Sequence, residues 1–146
     1  KLLEHGVNVC LGTDGAASNN AQNMFHEMNL AALVYKGAAM EAQAVSSEDV
    51  LAFATKNAAK ALGFEGMLGE IKVGYIADLI VVDMNHESFQ PMNHPASAIA
   101  YSANGSEVDT VIVNGKILME KRVLKTIAED NVYYAVNRIA KRLGIQ

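Results

Sequence analysis

One stretch limits the fold of this chain more than any other: the apolar run Val7-Asn8-Val9-Cys10-Leu11, which stops on Gly12-Thr13-Asp14-Gly15. A short continuous apolar run of this kind predicts a strand covered on both faces, as in parallel sheets. Parallel strands need crossover connections and neighbouring strands. The residues after Gly15 instead read as loop, helix, linker, helix, the closing part of an α/β unit and not a whole sheet. Enzymes often mount their chemistry where a rigid strand ends, which makes Asp14 the first residue to consider.

Leu2 and Leu3 read as a helix tail stopped by Gly6. Beyond the loop, Asn19 or Asn20 is placed to cap a helix over about 20–36, with Met24, Met28, Ala31, Ala32 and Tyr35 at helical spacing. Ser46-Ser47-Glu48-Asp49 offers a capping box ahead of Val50, Leu51, Phe53, Ala54, Ala58, Ala61 and Leu62, and Gly63 supplies the stop. From Gly66 the pattern turns to strands. Ala77–Asp83 is rich in branched apolar residues. Val108–Val113 and Lys116–Met119 flank Asn114-Gly115, whose preference for positive φ predicts a type I′ hairpin. Pro91, Pro95 and the polar residues between Asn85 and Asn104 predict a long connection with one short helix around Pro95–Tyr101. A last helix over 130–143 carries Val132, Tyr133, Val136, Ile139, Ala140 and Leu143 on one stripe, with Arg138, Lys141 and Arg142 opposite. The reading is α/β plus β: an α/β segment over 1–64, a β region over 65–125, and a helical segment over 126–146.

A hydrophobic fraction of 51% over 146 residues suits one ordinary domain or two small pieces of a larger one. The net charge of −4, with both signs interspersed, offers no basic stripe for phosphate backbones, so no nucleic-acid partner is expected. No run approaches the roughly 18 apolar residues of a membrane span, and no membrane association is expected. The first residues lack the apolar core of a signal peptide. Cys10, the single cysteine, excludes an internal disulfide and reads as a small buried hydrophobe, in keeping with a reducing cytoplasm. The lack of an initiating methionine adds to the expectation that the chain is part of a longer one.

A carboxylate at a strand end can bind a cation or accept a proton from water. Aspartate before glycine is also common in turns, where it bonds its own backbone. The pattern by itself favours the turn. His5, His26, His86 and His94 form no pair at metal-ligand spacing. Ser18 lacks the G-x-S-x-G setting and Cys10 has no evident base, so no nucleophilic triad is indicated. Gly12-Thr13-Asp14-Gly15 lacks the marks of a phosphate loop. Met24, Met28 and Met40 read as core fillers.

In combination the segments say more. Gly12-Thr13-Asp14-Gly15-Ala16-Ala17-Ser18-Asn19-Asn20 with Asn23–Met28, then Ala54–Gly63, Gly69–Asp83, Tyr101–Gly105 and Val111–Lys116, resembles in order the C-terminal part of the amidohydrolase superfamily. The likeness is to its chlorohydrolase and aminohydrolase branch, and within it to the deaminases of methylthioadenosine and S-adenosylhomocysteine. It implies the last strand and helices of a TIM barrel, then part of a composite β-sandwich and a C-terminal helix. It also implies one divalent metal, zinc or iron, in the complete parent enzyme, with a small purine nucleoside or related N-heterocycle as substrate. Asp14 matches the aspartate ending the eighth barrel strand, which ligates the metal and exchanges protons with the attacking water and the departing amine. Ser18 would face substrate, and Asn19 would shape the same loop. Ala58 stands where the family often has glycine and Tyr75 where lysine is common. The H-x-H pair and the other ligands have no counterpart in this sequence. The chain by itself is therefore expected to hold no stoichiometric metal and to be inactive. The alternative is a non-catalytic module that works by association, and an incomplete sandwich with an open edge favours a homo-oligomer.

Overall fold

Asn23, and not Asn19 or Asn20, starts the first helix. In the computed structural model, which describes residues 2–145, its side-chain oxygen accepts the amides of Phe25 (2.9 Å) and His26 (3.3 Å), satisfying donors that a helix start leaves open. Helix α1 then runs Met24–Ala39. Two compact units form: Lys1–Ala77 with Asp83–Glu107, and Asp78–Val82 with Val108–Gln146.

The first unit is helical. Ser46 caps α2 (Ser47–Ala54) through the expected capping box, with Asp49 amide to Ser46 Oγ at 3.1 Å and Ser46 amide to Asp49 Oδ2 at 3.0 Å. The sequence predicts one helix through Leu62. The structure breaks it at Thr55, whose φ of −123° and ψ of −96° leave the helical region, so that α3 (Lys56–Ala61) leaves at a corner. Helix α4 spans Pro95–Tyr101, as the sequence predicts, with His94 as its cap. Met28 and Ala32 of α1 pack with Val45 and with Val50 and Phe53 of α2 into the core, and Ile99 and Tyr101 of α4 lie against it.

The strand expected at Val7–Leu11 pairs with no sheet among the described residues, although burial alternates along it from Asn8 to Thr13 as in an extended segment. Val9, Leu11 and Thr13 are half-buried, while Asn8, Cys10 and Gly12 are exposed. Val7 is exposed as well, so from Val9 onward one face is covered and not two, and Cys10 lies on the solvent side, correcting its reading as a buried hydrophobe. The physical reason is that helices, and no neighbouring strands, hold this segment: the Leu11 amide donates to the Phe53 carbonyl of α2 at 3.0 Å. Of the expected core methionines, Met28 is buried but Met40, just beyond the end of α1, is 92% exposed.

The second unit is an antiparallel sheet of β1 (Leu79–Val82), β2 (Val108–Val113), β3 (Lys116–Glu120) and β4 (Val123–Leu124), in that order. Asn114 and Gly115 take φ of 49° and 74°, the paired positive values of the predicted hairpin turn. The Asn114 amide is held by Asp78 Oδ1 at 2.7 Å. A second tight turn at Lys121 and Arg122, φ 49° and 62°, leads into β4. This is one sheet and not two packed layers among the described residues. Helix α5 (Glu129–Arg142) places acids in its first turn and Lys141 and Arg142 in its last, matching the helix dipole, and none of its residues is buried.

Candidate active site around Asp14

Asp14 lies three residues past the Leu11 anchor, with its side chain exposed and φ at 57°. Left-handed backbone is uncommon outside glycine, and aspartate is among the residues that tolerate it. The Gly15 amide donates to Asp14 Oδ1 at 2.8 Å. The Asp14 carbonyl accepts from Thr13 Oγ1 (3.1 Å) and Gln22 Nε2 (3.4 Å). The carboxylate braces its own turn and faces solvent.

The loop after it is ordered by polar contacts. The Gly15 carbonyl accepts the amides of Ser18 (2.9 Å) and Asn19 (3.0 Å), closing a turn that leaves Ser18 exposed. Asn19 is half-buried; its Oδ1 accepts the amides of Ala21 (3.0 Å) and Gln22 (3.2 Å), and its Nδ2 donates to Glu27 Oε1 at 2.6 Å. Because Glu27 sits in the first turn of α1, the loop hangs from a rigid helix. Asp14, Ser18 and Asn19 therefore belong to one loop, with Gln22 and Glu27 as supports that sequence reasoning missed. No sequence signal singled out either support.

Asn23 Nδ2 donates to the Asn104 carbonyl at 2.7 Å, tying the start of α1 to a second turn. That turn is organised by Glu107, whose side chain is fully buried. Its carboxylate accepts the amides of Asn104 (3.1 Å) and Gly105 (2.9 Å), and His86 Nδ1 lies 3.8 Å away. Burial pushes the carboxyl upward, but its own amide, the Ser88 hydroxyl and the Asn104 and Gly105 amides together hold it below the ordinary value.

The histidines are dispersed. His26 is exposed on α1, His86 contacts Ser88 and Glu107, and His94 caps α4 with Nε2 3.3 Å from Glu48. Among the described residues no three His, Cys, Asp or Glu side chains converge on a position that could hold a metal ion. Asp14 has the oxygen chemistry of one ligand to a divalent cation, but the residues present do not make a complete metal site. Nor is any helix among the described residues long and apolar enough to cross a membrane.

This arrangement has close counterparts. A 5-methylthioadenosine/S-adenosylhomocysteine deaminase of Acetivibrio thermocellus is 54% identical over 142 residues, 97% of this chain and 33% of that protein. The enzyme of the same description from Pyrococcus furiosus is 47% identical over 132 residues, 90% of this chain and 31% of its own length. An adenosine deaminase of Xanthomonas campestris, solved with bound zinc, superposes with a TM-score of 0.93 at 35% identity, covering 97% of this chain and 32% of that one. Atrazine chlorohydrolase of Arthrobacter aurescens, complexed with zinc, gives a TM-score of 0.84 at 26% identity, covering 93% and 30%. This chain thus spans about a third of the length of the curated relatives it matches. The amidohydrolase family profile matches residues 1–118, through the Asp14 loop, the α2–α3 corner and the β2–β3 hairpin alike; the chain belongs to the amidohydrolase family.

Proposed function

We propose that this chain is the closing third of a metal-dependent aminohydrolase that hydrolytically deaminates a purine nucleoside or related N-heterocycle. Residues 1–64 would end its TIM barrel, 65–125 would form part of a β-sandwich, and 126–146 would close the chain with a helix. Asp14 would be one ligand of a single zinc or iron ion and the base that takes a proton from the attacking water. The metal supplies a nucleophile at neutral pH in such sites. Ser18 and Asn19 would border the substrate, and the enzyme would work in the cytoplasm. The observation that carries this reading is the 54% identity to a deaminase across 97% of the chain, together with an exposed Asp14 on a loop braced from α1.

We further propose that the 146-residue chain alone holds no stoichiometric metal and is inactive. The test compares this chain with the parent polypeptide expressed from the complete reading frame that encodes it. Metal content and deamination of 5-methylthioadenosine are measured for both. The parent is expected to hold about one metal ion per chain and to turn over, and this chain to do neither. Stoichiometric metal with turnover by this chain alone would contradict the proposal.

A second reading, association without catalysis, is favoured by α5. Val132, Tyr133, Val136, Ile139 and Leu143 are all exposed on its apolar stripe, a pattern associated with interaction surfaces.

A further inference from the structure

We infer that Asn57, at the start of α3, is a positioning residue for Asp14. The inference rests on the proposed role of Asp14 as ligand and base. Asn57 is 43 residues from Asp14 in sequence, and nothing in the local pattern connects them. In the fold, Asn57 Nδ2 donates to the Val9 carbonyl at 2.9 Å, and the Asn57 carbonyl accepts from Asn8 Nδ2 at 2.9 Å. One residue of α3 thus grips two successive residues of the extended segment. Two residues further on, the Leu11 amide meets the Phe53 carbonyl at 3.0 Å.

These contacts do what a sheet would otherwise do. An extended segment without ladder partners is free to slide and to rotate about its axis, and a slip of one residue exchanges its two faces. Bonds to the Val9 carbonyl and the Leu11 amide, which an extended chain presents along one edge, fix both register and rotation. Asp14 follows Leu11 by three residues, about 10 Å of extended chain, so an error at Val9 is carried directly to the carboxylate. The corner that makes the grip is itself backed by Gly69. A β-carbon there would lie 2.6 Å from the Lys56 α-carbon and 2.9 Å from the Thr55 oxygen, so main chain is seated against main chain. The grip therefore starts from a closely packed corner, as accurate placement of a reacting group requires.

The test uses the parent polypeptide, with Asn57→Ala, Asn8→Ala and Asp14→Asn made separately. Metal affinity is measured by competition with a chelator, alongside kcat, KM and thermal midpoint. Supports of this kind typically change metal affinity or activity about 10- to 100-fold. N57A is expected to lower metal affinity and kcat each about tenfold while KM stays within about twofold. N8A, which leaves the bond to Val9 intact, should have a smaller effect of the same kind. A lowered thermal midpoint with metal affinity and kcat within about twofold of wild type would mean that Asn57 only stabilises the fold, and would overturn the inference. Should N57A fail to fold, N8A is judged on the same two quantities. D14N separates this inference from the reading beneath it: wild-type behaviour of D14N indicts the role of Asp14, whereas wild-type behaviour of N57A beside an inactive D14N overturns the positioning role alone.

Discussion

Glu107 illustrates how a single residue holds a turn that the site leans on. A buried carboxylate is tolerable only when its charge is met by donors, and here the Asn104 and Gly105 amides supply them. Replacing Glu107 by Ala takes the acceptor from those part-buried amides and leaves a cavity where a fully buried side chain stood, and should destabilise the chain by about 2 kcal/mol in urea unfolding. The sign of its pH dependence follows from its lowered value. Stability from Glu107 is fully present above the ordinary carboxylate value of 4.5 and is lost as pH falls through the lower folded value. The wild-type urea midpoint should therefore drop below about pH 4.5, and Glu107→Gln should remove that part of the drop. Little of this was legible in sequence, where Glu107 is one acid among sixteen. Glycine punctuation and an apolar approach marked Asp14 as a candidate, but that pattern alone favours a turn, and only the ordered likeness downstream made it a proposed ligand. Its brace was not legible, since Gln22, Glu27 and Asn57 act through contacts that no spacing rule encodes.

Elements were legible in proportion to how local their causes are. The capping box of α2, the proline-led α4 and the Asn114-Gly115 hairpin all formed where their short-range chemistry placed them. The start of α1 moved to Asn23 because Asn19 is engaged by Ala21, Gln22 and Glu27. Strand β4 was missed because its turn uses Lys121 and Arg122 at positive φ, where sequence rules look for asparagine and glycine. The segment at Val7–Leu11 kept its extended form but found helices as neighbours, a tertiary outcome that an apolar run does not specify. The α2–α3 break carries no mark in the local sequence, and the backbone packed against it, at Gly69, lies far along the chain. Gly69→Ala must displace that backbone and also hold alanine at φ 86°. It should destabilise the first unit by at least about 2 kcal/mol, read as a lowered urea midpoint.

At the scale of the molecule, family membership was legible because several motifs occur in a fixed order across nearly the whole chain, and the family match over residues 1–118 agrees. No one motif would have sufficed. The exposed stripe of α5 leads to a prediction for the 146-residue chain: sedimentation velocity should show concentration-dependent self-association, and Val136→Asp with Ile139→Asp should abolish it. A concentration-independent monomer would remove the support for the associative reading. The proposed chemistry meets its most direct test in the parent polypeptide, by comparing kcat/KM for 5-methylthioadenosine deamination in wild type and Asp14→Asn. A fall of about a thousandfold, with loss of bound metal from a protein that still folds and unfolds cooperatively, is the predicted result. Metal content and kcat/KM within a few-fold of wild type would contradict it.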